Sequence, residues 1–304
     1  MAVAVPVSAR TLAGVMPWVF VLIWSTGFVV ARFGMPHAPP FTFLALRYAL
    51  SLACFVLWVV HARAQWPGSR VQWLHLAVVG ILLHAGYLGG VWSAVKSGIG
   101  AGTVALIVGL QPVLTALWVT WAASRNAADP PGARVKTRQW FGLALGLGGL
   151  VLVVWHKLGG GEVTPVNLTY AVLGLLAITT GTLYQKRFVA ACDVRTASAI
   201  QLAAALAVTL PLAMLEAEPL AWHPQLIGAM AWSVLVLTLG GSSLLYLLIQ
   251  RGAATSVTSL MYLVPPCTAV LAWLLFDEQV TVTMLVGMGL TVSGVAMVVR
   301  NSVR

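Results

Sequence analysis

From Leu12 to Val299 the chain alternates long apolar runs with short polar breaks, and the runs are too free of charge to be wrapped by a water-facing surface. Ten can be delimited: Leu12–Ala31, Phe41–Val60, Trp73–Val95, Ala101–Ala123, Trp140–Trp155, Val166–Tyr184, Thr196–Leu215, Leu226–Gln250, Ala253–Phe276 and Val280–Val299. About 20 apolar residues of helix cross a bilayer, so each run is expected to be one transmembrane helix. The breaks carry turn chemistry, as at Gly34–Pro40, Gly98–Gly102, Asp129–Gly132, Gly159–Gly161 and Glu216–Pro219. Only 8% of the 304 residues are charged, against about 25% in soluble domains. The longest connection, Ser124–Gln139, is too short for a soluble domain. The first run is long enough to span, so it reads as an anchor rather than a cleaved signal.

The net charge of +10 would point to nucleic acid in a soluble protein. Here the positive residues sit in the short breaks, which is the pattern that sets membrane orientation. With the N-terminus in the cytoplasm, thirteen Lys and Arg fall on the cytoplasmic side. Three (Arg32, Lys96 and Lys157) fall outside, and Arg47 remains within a run. Both termini are therefore expected in the cytoplasm of a bacterial inner-membrane protein, with no nucleic acid among its partners. The three cysteines, Cys54, Cys192 and Cys267, form no CxxC pair and support neither a disulfide framework nor a metal site. The glycines at 159–161 lack the Lys-Ser/Thr of a phosphate loop. Neither ATP nor any cofactor is expected.

Shifting the chain by 154 positions superposes its halves. Thr26-Gly27 falls on Thr180-Gly181, Ala45 and Ala49 on Ala199 and Ala203, Gly86 on Gly240, and Gly98 and Pro112 on Gly252 and Pro266. The fifth runs align at a shorter shift, Gly142 and Gly149 on Gly287 and Gly294. An odd number of spans per repeat means that the second half enters the membrane from the opposite side. The expected fold is all-α and integral to the membrane: ten transmembrane helices as two inverted five-helix repeats, 1–156 and 157–304. Inverted repeats are a hallmark of many secondary transporters.

Trp24-Ser25-Thr26-Gly27-Phe28, Ala45-Leu46-Arg47-Tyr48, and the stretch from Pro265-Pro266 through Leu274-Leu275-Phe276-Asp277-Glu278 to Gly287 and Gly294 resemble the drug/metabolite transporter superfamily, in its EamA-type branch. The resemblance covers nearly the whole chain. It implies a central cavity lined mainly by helices 1, 3, 4, 6, 8 and 9, and export of amino acids, other metabolites or toxic small molecules. A monomer or homodimer in the lipid bilayer is expected.

Candidate substrate contacts follow from polar and aromatic residues inside the spans. Arg47 lies roughly 10 Å along the second helix at about 1.5 Å per residue, where a charge is costly and is normally paired or functional. Its repeat partner is Gln201, and its bland reading is a packing anchor. His84 and Tyr87 share a face of the third helix. Trp24, deeper than an interfacial belt, Thr26 and Thr180 beside glycines, Gln111, Tyr184 and Tyr262 complete the set. Gly27, Pro112, Gly181, Pro265 and Pro266 are candidate hinges, since proline frees a carbonyl one turn earlier. Glu278, closing the ninth helix, reads as a solvated loop acid. With no Asp or Glu in any span, an intramembrane enzyme has little to work with. A non-transporting sensor or scaffold would show no polar convergence at mid-membrane.

Overall fold

The computed structural model describes residues 7–125, 137–241, 243–244 and 261–299, and all its regular elements are helices. In chain order they are α1 Val7–Gly34, α2 Pro40–His61, α3 Arg70–Lys96, α4 in two pieces, Ala101–Val108 and Gln111–Arg125, α5 Thr137–Gly159, α6 Pro165–Phe188, α7 Val194–Met214, α8 Pro224–Gly240, α9 Val264–Phe276 and α10 Val282–Val299. Each expected run holds one helix. Pro40, Pro165 and Pro224 open α2, α6 and α8, where their missing N–H costs nothing. Thr164 and Asn167 bond each other's backbone N–H in a capping box at the start of α6.

Among the described residues five helices are long and apolar enough to cross a membrane: Pro40–His61, Arg70–Lys96, Trp140–Leu158, Pro165–Phe188 and Val194–Met214. Shorter apolar helices fall in the other five runs. Large apolar side chains such as Leu57, Val60, Leu74, Trp155 and Leu274 stand on the outside of the bundle. That surface suits lipid and would aggregate in water.

The halves interleave rather than sit side by side. α2 packs on α7 and α8, α3 on α6 and α7, α1 on α8 and α9, α4 on α6 and α9, and α5 on α10. These pairings are unchanged when 1 to 5 are exchanged for 6 to 10. Glycine lets the backbones approach. A methyl built on Gly294 would overlap the Gly142 carbonyl, and one on Gly149 would overlap the Gly287 carbonyl. Contacts that rise along α5 fall along α10, so these equivalent helices run antiparallel. The same holds for α2 and α7: Phe41 N–H donates to Glu216 at one end, and the Thr196 hydroxyl donates to the Gln65 carbonyl at the other.

Two departures from regular helix stand at corresponding places. α3 widens into a π-helix at Ile81–Gly86, and α8 does so at Trp232–Gly240. π segments are rare and gather at functional sites. α4 breaks at Gly109–Leu110, just before Gln111-Pro112. The end of the eighth run with Tyr246, the start of the ninth, the Asp129–Gly132 break and the side chain of Tyr262 lie outside the described residues.

Candidate substrate site

The deepest polar cluster forms where the two π segments meet α2 and α7. Arg47 Nε and Nη2 donate to Thr238 Oγ1 at 3.3 and 3.2 Å. Thr238 passes its own proton to the Ser233 carbonyl at 2.8 Å, five residues back in π register. The Gln201 side chain stands against the His84 ring, within electrostatic reach of it. The Tyr48 hydroxyl donates to the His84 carbonyl at 2.9 Å, and its ring meets the His84 ring edge-on. Tyr87, one turn beyond His84, is buried within electrostatic reach of Arg47. The two cross-half contacts are images of each other. The 154-residue shift carries Arg47 onto Gln201 and His84 onto Thr238, so α2 meets α8 in one and α7 meets α3 in the other.

Thus Arg47, His84 and Tyr87 come together, while other candidates stand apart from them. Trp24 is half-buried against Phe20, with ring centroids 5.5 Å apart. Thr26 spends its proton on the Ile23 carbonyl and accepts from Trp232 Nε1 at 2.9 Å. Gln111 donates to Thr182 Oγ1 at 3.1 Å, tying the broken point of α4 to α6. Thr180 faces outward from α6. Tyr184 pairs with His75 Nδ1 at 2.8 Å near the start of α3. Gly27 and Gly181 take equivalent places against the π segments of the opposite half. A methyl on Gly181 would lie 2.6 Å from Leu83, whereas one on Gly27 would lie 3.9 Å from Leu237.

At the end of the bundle carrying the α1–α2, α3–α4 and α5–α6 turns, carboxylates bind helix N-termini. Glu278 was expected to be a solvated loop acid; instead it is half-buried and accepts from Ala101 N–H at 3.0 Å, capping α4. Glu216 does the same for α2, accepting from Phe41 and Thr42 N–H at 2.9 and 2.7 Å. Negative charge is favourable at these positive helix ends. Both acids end second-half helices and cap first-half ones.

Glu162 accepts from Lys157 Nζ at 2.8 and 2.7 Å, from Thr103 Oγ1 at 2.9 Å and from Gly100 N–H at 3.0 Å. Burial alone would raise its pKa, but the bonds and charge of Lys157, with Thr103 and Gly100, bring it below the ordinary carboxylate range. A lowered pKa means stability that is present above the unfolded value, about 4.3, and lost as pH falls through the folded one. Glu162→Gln should therefore cost about 1–3 kcal/mol at pH 7, because it strands the buried Lys157 ammonium. The gap between variant and wild type should narrow as pH falls below about 4. Thermal unfolding in detergent at both pH values checks this. A gap unchanged in acid would rule out the carboxylate as its source.

The sequence profile of the EamA-like transporter family matches residues 15–155 and, as a second copy, residues 167–300. The chain belongs to the EamA-like transporter family. Its relatives include an "Uncharacterized transporter" of Archaeoglobus fulgidus, 24% identical over 286 residues that cover 90% of this chain and 92% of the relative. The "Uncharacterized inner membrane transporter YedA" of Escherichia coli is 24% identical over 88% of this chain and 79% of its own length. A "Probable amino-acid metabolite efflux pump" of the same organism is 22% identical over 92% of each chain. A solved structure titled "Crystal structure of protein" shares the fold, with a TM-score of 0.62 and 21% identity, covering 94% of this chain and 96% of that one.

For this EamA-like transporter, Thr238 is the cluster residue that the search for aromatic and charged groups in the spans passes over. One signal pointed to it: position 238 is the repeat partner of His84, as Gln201 is of Arg47.

Proposed function

We propose that this chain is a secondary transporter that exports a small organic metabolite, an amino acid or close analogue, by alternating access. The moving parts are two inverted five-helix halves, 1–156 and 157–304, with both termini in the cytoplasm. The observation that carries this reading is the crossed pair of contacts at equivalent positions of the two halves, the hydrogen bonds from Arg47 to Thr238 and the His84 ring against the Gln201 side chain. A polar centre shared symmetrically by interleaved halves suits a site reached from either side in turn. The antiparallel run of α5 against α10 fits inversion. The unequal clearance of Gly181 and Gly27 fits halves held in two different arrangements. Three positive residues on one side of the membrane against thirteen on the other fit the orientation. Export of amino acids rests on the printed name of the E. coli efflux relative. Trp24, Gln111 and Tyr262 are assigned to the walls of the same path. Gly27, Pro112, Gly181, Pro265 and Pro266 are assigned to the bends that let it open.

The test is efflux from proteoliposomes loaded with mixed metabolites, with and without an imposed pH gradient. One or a few amino-acid-like compounds should leave faster than from protein-free vesicles. Since the spans hold no Asp or Glu, the gradient should change the initial rate by less than about twofold, in wild type and in His84→Gln alike; protonatable groups inside the membrane are what usually couple transport to protons. Efflux equal to that of empty vesicles would overturn the transporter reading. Strong proton dependence surviving His84→Gln would overturn transport down the substrate gradient alone.

A further inference from the structure

We propose that Arg47 receives a carboxylate of the transported compound, so that the substrates are small carboxylic acids and not their neutral analogues. The inference rests on the transporter reading and names the substrate class of that same site.

Arg47 is more than nine-tenths buried, and its charge persists at any physiological pH. A guanidinium carries five N–H donors. Among the described residues those of Arg47 reach one oxygen only, Thr238 Oγ1, through two long bonds. That oxygen is neutral, and its own proton is committed to Ser233.

No described carboxylate is placed to balance the charge. Glu162 is held by Lys157, Asp193 by Arg195 and Glu218 by Lys96. Glu216 and Glu278 cap α2 and α4, and Asp277 sits at the C-cap of α9. A buried charge without a counter-charge costs several kcal/mol, and within a membrane such residues mark substrate or ion pathways.

Two further buried groups have hydrogen-bonding capacity to spare. The hydroxyl of Ser51, one turn beyond Arg47 on α2, and that of Ser233, beside Thr238 on α8, are fully buried and have no hydrogen-bond partner among the described residues. A cation with spare donors beside two unspent hydroxyls lacks an anion with several lone pairs. A carboxylate offers about four acceptor sites on two oxygens and fits the guanidinium fork bidentately. A phosphate dianion would need a second cation, and the described spans hold no other Arg or Lys in the cluster.

The experiment loads proteoliposomes with amino and hydroxy acids, their carboxamides, neutral sugars and nucleosides, and aliphatic amines, and identifies by mass spectrometry what leaves. Wild type should release one or more acids at least 30-fold faster than the matching amide. In Arg47→Gln that ratio should fall below about 3, because acid efflux drops while amide efflux does not drop in proportion. A purely structural role for Arg47 would lower both rates together and leave the ratio intact. Thr238→Val, which keeps the cation, should retain the preference for acids. The proposal is overturned by an acid and its amide leaving wild type at similar rates, by compounds without a carboxylate being the ones released, or by a ratio that survives in Arg47→Gln. Where the glutamine variant does not fold, the wild-type ratio still decides whether the substrates are acids. Release no faster than from empty vesicles would instead overturn the transporter reading itself, and this inference with it.

Discussion

Valine at position 149 is expected to prevent α5 and α10 from closing on each other, with a loss of about 3 kcal/mol or more. The methyl it adds at Cβ would overlap the Gly287 carbonyl and come within 2.7 Å of the Thr291 hydroxyl and 2.9 Å of Leu290 Cβ. The first obstacle is backbone, which no rotamer change can move aside. The same crossing is closed from the other helix by Thr291, whose hydroxyl donates to the Gly287 carbonyl at 2.8 Å and approaches that of Gly146 at 3.3 Å. Interfaces between membrane helices depend on small residues in this way, because lipid offers no hydrophobic drive to hold them together. Gly148 provides the control, since a side chain built there would meet nothing within 4 Å. Gly148→Val should change the unfolding temperature in detergent little, while Gly149→Val should lower it by about 6 °C or more, at roughly 2–4 °C per kcal/mol. Equal effects of the two substitutions would mean that the crossing is not closed as described.

What could be read from the sequence depended on whether a property repeats along the chain or arises from contact across it. Apolar runs repeat, so every expected run holds a helix, and breaks with proline and glycine stand where helices begin. The glycines of the last run in each half were visible as aligned pairs, Gly142 with Gly287 and Gly149 with Gly294. Their contacts were not visible, since alignment says nothing of crossing. In the structure Gly149 meets Gly287 and Gly142 meets Gly294, as antiparallel packing demands. Glu278 looked like a loop acid because its partner, the Ala101 N–H, lies far away in sequence. The π segments leave no mark in apolar periodicity. The wider turn changes which backbone groups pair without changing which residues are apolar. Arg47 announced itself by charge alone, whereas Thr238 is an ordinary hydroxyl in an apolar run and gains meaning only from what faces it.

Exchanging the four central residues between the halves should restore part of what the loss of Arg47 removes. Arg47→Gln alone is expected to lower efflux of the preferred acid at least 30-fold, by the argument given for its charge. In the quadruple variant R47Q/Q201R/H84T/T238H, arginine on α7 would face threonine on α3, and glutamine on α2 would face histidine on α8. The native contacts run from Arg47 to Thr238, by hydrogen bond, and between the His84 ring and the Gln201 side chain, so the exchange rebuilds the same two contacts with the halves reversed. Contacting residues couple by about 0.5–3 kcal/mol, and a coupling near 1 kcal/mol, towards the lower end of that range, would give a recovery of about five- to tenfold rather than a complete one. Full recovery is not expected because two neighbours are not repeated. Tyr48, which bonds the His84 carbonyl, has Leu202 as its counterpart, and Tyr87 has Gly241. The measurement is initial efflux of the wild-type substrate for the single, the two paired exchanges R47Q/Q201R and H84T/T238H, and the quadruple variant. If the quadruple loss equals the product of the two paired losses, the positions do not couple. The crossed contacts would then be a coincidence of packing and not the centre about which two equivalent halves exchange their roles.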